Sequence, residues 1–340
     1  MTTIWPLPEI EIRDLRTLTE TRPVALLTSG PAWSVVGPLL NLPLVIQAEP
    51  HKADHDFFKM LAAELPPQVE VIYGVGGGLA SDAAKFVGWV NQRPVVTIPT
   101  ALSVDGFFTA LVAVRENGTV QYVTTGPASK VIIDWEIIRN APPHIRGTGI
   151  CELLSIVTGL LDWRYAAERN QNTPEMRFQP WAAGLAAGIA QQAFKIAAGV
   201  GQGKIESLTN LLDLMCLEVQ LTNQIGHNRP QEGSEQYFAY AIEPLTASGY
   251  GVPYADLVGP GILIAAALHG QDIQPIQDTI RSAGIRLDQL RPDDIRSTLA
   301  QMPQYVRQHN LPYSIFNDFN PLPDKIAEIL AKTGLERAAG

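Results

Sequence analysis

Three consecutive glycines, Gly76-Gly77-Gly78, stand where an apolar run of β type gives way to a helical pattern. A turn of this kind is suited to holding a phosphate. Without Cβ atoms the backbone can approach an anion closely, and the unpaired N–H groups of the helix's first turn face it. Asp82 is placed in that first turn, where a carboxylate suits the helix dipole. The segment is not the six-residue dinucleotide fingerprint, because Leu79 stands where the third glycine belongs. A tight strand-to-helix turn with no ligand fits the same three residues. Glu49 follows an earlier strand, where a carboxylate either binds a ribose hydroxyl or is an exposed loop charge.

The elements around the turn are legible from periodicity. Residues 70–78 read as a buried strand ending in the glycine turn, 79–90 as a helix, 94–99 as the next strand and 100–106 as the loop after it. Residues 24–28, 43–47 and 131–134 are further short β-type runs, and 51–65 has helical spacing with Phe57, Phe58, Leu61 and Leu65 on one side. Runs 111–114 and 120–124 flank Asn117-Gly118, a hairpin turn that requires positive φ. This alternation predicts an α/β domain: a doubly wound, mostly parallel sheet with one hairpin inserted.

Beyond about residue 148 only helical spacing is found, at 152–170, 181–200, 205–225, 234–242, 257–268, 273–283, 295–309 and 324–333. Two domains are therefore expected, an α/β domain over 1–147 and an all-helical domain over 148–340, with the junction near Ala141-Pro142-Pro143. The Ala- and Gly-rich face of 181–200 allows close helix packing, inside the domain or between subunits.

Composition narrows the functional class. The 340-residue chain is 46% hydrophobic and 17% charged, as expected of a globular protein. Its net charge of −9 argues against nucleic acid as the main partner. Cys151 and Cys216 are the only cysteines and supply neither a disulfide framework nor zinc spacing. The N-terminus has no signal-peptide pattern, and the longest apolar stretch, 257–268, is too short to cross a bilayer. A soluble, cytoplasmic protein with a small-molecule partner and no membrane contact is expected.

The longer pattern resembles a known group. Gly76-Gly77-Gly78 with Asp82 and Lys85, then Ile98-Pro99-Thr100-Ala101 with Ser103, Asp105 and Gly106, are similar to the sn-glycerol-1-phosphate dehydrogenases. These belong to the superfamily of iron-containing alcohol dehydrogenases, glycerol dehydrogenases and dehydroquinate synthases. Further matching pieces are 131–134, Ala141-Pro142, Leu153-Leu154-Ser155 with Thr158, Asp162-Trp163, Arg229-Pro230 and Gly233-Ser234-Glu235. The resemblance covers about residues 20–270.

It implies an N-terminal dinucleotide-binding domain, a helical C-terminal domain and an active site in the cleft between them. NAD or NADP would be the cofactor, reducing dihydroxyacetone phosphate or a similar small polyol or carbonyl compound with the help of zinc. Gly76, Gly77 and Gly78 would meet the pyrophosphate. Thr100, Ser103 and Thr109 would contact the nucleotide, and Asp105 would bind a substrate hydroxyl. A homo-oligomer is implied as well.

The metal ligands depart from the family's pattern of one Asp and two His. Those positions fall on Glu152, Gln236 and Tyr254, and a substrate-associated His position falls on Tyr240. Glu is a usable oxygen ligand, but Gln offers a neutral carbonyl, and a phenol of pKa about 10 is a rare zinc ligand. Metal binding is expected to be weak or absent. Tyr254 and Tyr240 then become the candidate proton donors of a metal-free reaction. The alternative is a nucleotide-binding pseudoenzyme or sensor. His227 and His269 match no ligand position and are read as surface or capping residues.

Overall fold

The computed structural model describes residues 3–246 and 252–336, and it divides into two compact units that meet in sequence at Pro142 and Pro143.

The first unit runs β1 (Glu9–Ile12), β2 (Val24–Thr28), α1 (Gly30–Val36), β3 (Leu44–Ala48), α2 (His55–Ala63), β4 (Val71–Gly76), α3 (Gly78–Asn91), β5 (Val95–Pro99), β6 (Leu111–Glu116), β7 (Thr119–Thr124), β8 (Lys130–Ile133) and α4 (Trp135–Asn140). Six strands form one parallel sheet in the order β1-β8-β5-β4-β2-β3. β6 and β7 form a separate antiparallel hairpin, with Asn117 at φ +53° and Gly118 at φ +79° in its turn. Both residues thus take the left-handed conformation that the Asn-Gly pair predicts.

The sheet is covered on both faces, as a parallel sheet requires. Alternation along β4 sends Val71, Tyr73 and Val75 into a cluster with Val36 and Ile137, and Ile72 into a cluster with Phe57, Phe58 and Phe86. A Cβ on Gly74 would stand 2.8 Å from the Ala84 Cβ and 2.9 Å from the Ala80 carbonyl oxygen, so this glycine lets α3 lie close on its own strand. The connections from β2 and from β4 run to opposite sides of the sheet. These two neighbouring strands are therefore the topological switch point, where open α/β sheets bind ligands.

The second unit runs α5 (Pro143–Arg146), α6 (Thr148–Glu168), α7 (Pro180–Gly201), α8 (Ile205–Ile225), α9 (Ser234–Ile242), α10 (Tyr254–Leu268), α11 (Gln274–Ser282), α12 (Pro292–Gln308), α13 (Ile315–Asp318) and α14 (Pro323–Thr333). Among its described residues there is no strand. Helix α10 is buried on all sides from Ala255 to Ala266. A Cβ on its Gly261 would lie 2.5 Å from the Glu235 carbonyl oxygen, which explains how α9 and α10 pack so closely. No helix among the described residues is long and apolar enough to cross a membrane.

Candidate functional site

Two strand-to-helix turns open at the switch point, and they differ in how their donors are satisfied. After β2, Ser29 caps α1 by accepting from the Ala32 N–H at 3.4 Å, and Glu49 accepts the Gly30 N–H at 3.2 Å. After β4, Gly77 is the N-cap of the 14-residue helix α3 and offers no side chain, and no acidic residue lies in the helix's first turn. Gly76 has φ +138°, a conformation that favours glycine, and nothing lies within 4 Å of the place where a Gly77 Cβ would stand. Donors that no cap occupies, on a helix of this length, make a ready place for an anion.

The loop after β5 lies directly on this turn. The Thr100 N–H donates to the Gly76 carbonyl at 3.1 Å, and Val104 Cγ2 is 3.0 Å from the position of a Gly78 Cβ. Ser103 and Asp105 are half-buried on the loop, and Asp105 starts a short 3-10 turn closed by the Phe108 N–H at 2.7 Å. Thr109 is buried, and its hydroxyl donates to the Leu111 carbonyl at 3.1 Å.

Asp82 is not in the first turn of α3. The helix begins at Gly78, so Asp82 lies a full turn inside, buried in the unit. Its carboxylate stands 3.5 Å from the buried Lys85 ammonium and accepts the Ala113 N–H at 3.3 Å. Burial pushes the Asp82 carboxyl up and the Lys85 ammonium down, each opposed by the other's charge. The sequence placed Asp82 on the helix but in its first turn, because the helix starts at Gly78, one residue before the start that spacing predicts.

In the second unit, Glu152 is buried on α6, Gln236 is buried on α9 and Tyr254 opens α10. Gln236 and Tyr254 come together: the Gln236 amide N–H donates to the Tyr254 hydroxyl. Tyr240, one turn beyond Gln236, donates its hydroxyl to Glu232 at 3.1 Å. As a zinc site this donor set does not fit. It combines one carboxylate, an amide that turns its N–H toward the phenol and the phenol itself. Among the described residues no three His, Cys, Asp or Glu side chains gather in a way that could hold a metal ion.

A denser polar cluster lies beside that pair. The fully buried Asp162 of α6 accepts the Ser234 N–H at 2.6 Å and the Ile315 N–H at 2.7 Å, and its other contact is His269 Nε2 at 2.9 Å. Burial alone would raise its pKa, but the bonds from His269 and Ser234 hold it below the ordinary carboxylate range. A Cβ on Gly233 would lie 2.6 Å from Asp162 Oδ2, so only glycine admits this contact. The adjacent Glu235 accepts the Gly233 N–H at 2.8 Å, and burial, then the Asp162 charge, push its pKa up to about 8.

His269 is the C-cap of α10, as the capping reading has it, but the side chains of both His269 and His227 point into the interior rather than toward the surface. The His269 side chain is 7% exposed and bonded to Asp162. His227 is 8% exposed, accepts the Arg229 N–H at 3.3 Å and is pushed down to about 4 by burial. Lys85, Asp162 and Glu235 were visible only as members of matching motifs. The available signal was a charged residue inside an apolar helical run, which demands a buried partner.

The sequence profile of the iron-containing alcohol dehydrogenases matches residues 24–142. Over that stretch the chain is similar to the iron-containing alcohol dehydrogenases. Its relatives include the glycerol-1-phosphate dehydrogenase [NAD(P)+] of Methanothrix thermoacetophila, 28% identical over 71% of this chain and 66% of that protein. The enzyme of the same name from Thermofilum pendens is 29% identical over 82% of this chain and 79% of that one. The first alignment thus spans just under two thirds of that relative's length. Among solved structures, a probable glycerol dehydrogenase from Sinorhizobium meliloti superimposes with a TM-score of 0.67 at 14% identity, covering 99% of each chain. Sulfoacetaldehyde reductase from Bifidobacterium kashiwanohense, solved in complex with NAD+, gives 0.64 at 15% identity, covering 98% of this chain and 99% of that one. These two likenesses establish the fold alone.

Proposed function

We propose that this protein binds a nicotinamide dinucleotide at the glycine turn before α3 and exchanges hydride between it and a small hydroxy or carbonyl compound without zinc. The observation that carries the reading is the uncapped start of α3 at the switch point, with the loop 100–106 folded over it. Dihydroxyacetone phosphate is the first substrate to test, since relatives bear the name glycerol-1-phosphate dehydrogenase. In the reductive direction hydride passes from the nicotinamide to the carbonyl carbon, and a proton goes to the carbonyl oxygen. Asp105 is assigned to a substrate hydroxyl, and Tyr254 and Tyr240 are the proton donors that stand at the family's imidazole positions.

Oxidation of NADH and NADPH by dihydroxyacetone phosphate, followed with added zinc and with chelator, tests this. Equal rates are expected, and a rate that appears only with zinc would overturn the metal-free reading. The geometry also favours a second reading, a nucleotide-binding protein without turnover. Tyr254 accepts from an amide and Tyr240 donates to a carboxylate, and a negative charge beside a phenol holds its proton in place. Calorimetric binding of NAD(H) or NADP(H) with no turnover of any small carbonyl would select that reading. No binding would reject both.

A further inference from the structure

The Lys85 ammonium is 2.6 Å from the Gly106 carbonyl oxygen, 2.5 Å from that of Leu111 and 3.4 Å from that of Thr109, with Asp82 at 3.5 Å. Three carbonyl groups of one short chain segment thus converge on a single buried cation. A lysine has three N–H donors and no acceptor, so this set uses its full capacity. Burying that charge is costly, and the three carbonyl groups with Asp82 are what offset it. Here the segment it gathers is the continuation of the loop that lies on the glycine turn. Val104 touches the place above Gly78, and the position of a Gly106 Cβ is 3.5 Å from Val104 and 3.8 Å from Asp82.

We infer that Lys85 is a positioning residue for dinucleotide binding: its ammonium clamps residues 106–111 and so fixes the loop bearing Ser103 and Asp105 against the glycine turn. This rests on the nucleotide reading above and adds a direction to it. β5 and its loop lie on one side of β4, while β2, β3 and Glu49 lie on the other. A carboxylate at a strand end beside the switch point suits a ribose hydroxyl, so the Glu49 side is assigned to the adenosine half. The clamped loop therefore serves the nicotinamide half, and the uncapped amides of α3 serve the pyrophosphate.

The test is calorimetry on the full chain with two ligands, NADH and ADP. In Lys85→Met, NADH affinity should fall about tenfold or more, since small misplacements of a positioning group are costly. ADP affinity should stay within about twofold, a difference near the limit of what binding free energies resolve. Because Lys85→Met leaves Asp82 without its cation, the double variant Lys85→Met/Asp82→Asn is measured beside it. It leaves no unpaired buried charge while still removing the clamp. The same NADH-selective loss in the double variant supports the inference. Equal loss of both ligands, no loss of either, or failure of both variants to fold would overturn it, reducing Lys85 to a structural residue. Wild-type protein that binds neither ligand would end the nucleotide reading itself, and this inference with it, a result distinct from any variant outcome.

Discussion

Helices α3 and α9 begin alike and are completed differently. Each has a glycine N-cap, Gly77 or Gly233, that offers no side chain to the first N–H groups. At α9 the chain supplies its own anion, since Asp162 reaches from α6 to take the Ser234 N–H at 2.6 Å. At α3 no side chain caps the helix start, and a Gly77 Cβ would meet nothing within 4 Å. The same physical device, backbone donors and a positive dipole end, is thus closed by a carboxylate in one unit and left uncapped by any side chain in the other. The presence of a glycine at a helix start says little, and what stands opposite its amides decides the role.

Emptying the filled junction should have the largest effect. Asp162→Ala strips the Ser234 and Ile315 amides and His269 of their acceptor at once. Removing one partner from a buried charged network costs about 3–5 kcal/mol. Urea unfolding followed by far-ultraviolet circular dichroism should show that loss, and an unchanged midpoint would make the Asp162 hub incidental. The pH dependence has a definite sign. Asp162 is held below its ordinary pKa in the folded state, so its stabilisation is present above the ordinary carboxylate range and is lost as pH falls through the folded value. The wild type should therefore converge on the variant in acid.

Glu235 sharpens the contrast on the same helix. Its folded pKa is raised to about 8, so at neutral pH it is held largely as the neutral acid. The folded state then binds more protons than the unfolded one, and stability falls as pH rises from the usual carboxylate range toward 8. Glu235→Gln keeps the neutral shape and should flatten that decline, with little change at pH 5. Thermal melts of both proteins across this range check it, and parallel curves would mean that Glu235 is ionised throughout.

Much of the fold was legible in the sequence because it rests on local periodicity. The strand 24–28 and the helices 205–225 and 234–242 appear at the limits that spacing predicts. β1 escaped notice because Glu9–Ile12 alternates charge with isoleucine over only four residues and owes its place to parallel pairing with β8. α1 escaped because it opens on Gly-Pro and spans only seven residues. The glycine turn at the start of α3 was legible too, since glycine clusters carry their own backbone meaning. The roles of Lys85 and Asp162 were not. Lys85 meets carbonyl groups 21 to 26 residues away, and Asp162 meets an amide 153 residues away. Only the folded chain brings such partners together, and this is also why the sequence shows His269 at a helix end but not the bond of its side chain to Asp162.

Filling the open cradle should change stability least and binding most plainly. In Gly77→Asp the new side chain has room, and the backbone at φ −89°, ψ −169° already suits an N-cap. The carboxylate would cap α3 as Asp162 does α9, raising stability by roughly 0.5 kcal/mol. It would also occupy the anion's place, and a fixed negative charge there should weaken NADH binding by about a hundredfold. Melting temperature and NADH affinity are thus expected to move in opposite directions. A variant that is stabilised yet binds NADH as well as the wild type would show that the pyrophosphate does not sit on α3. In that case the open turn is a junction like that at α9, lacking only its carboxylate.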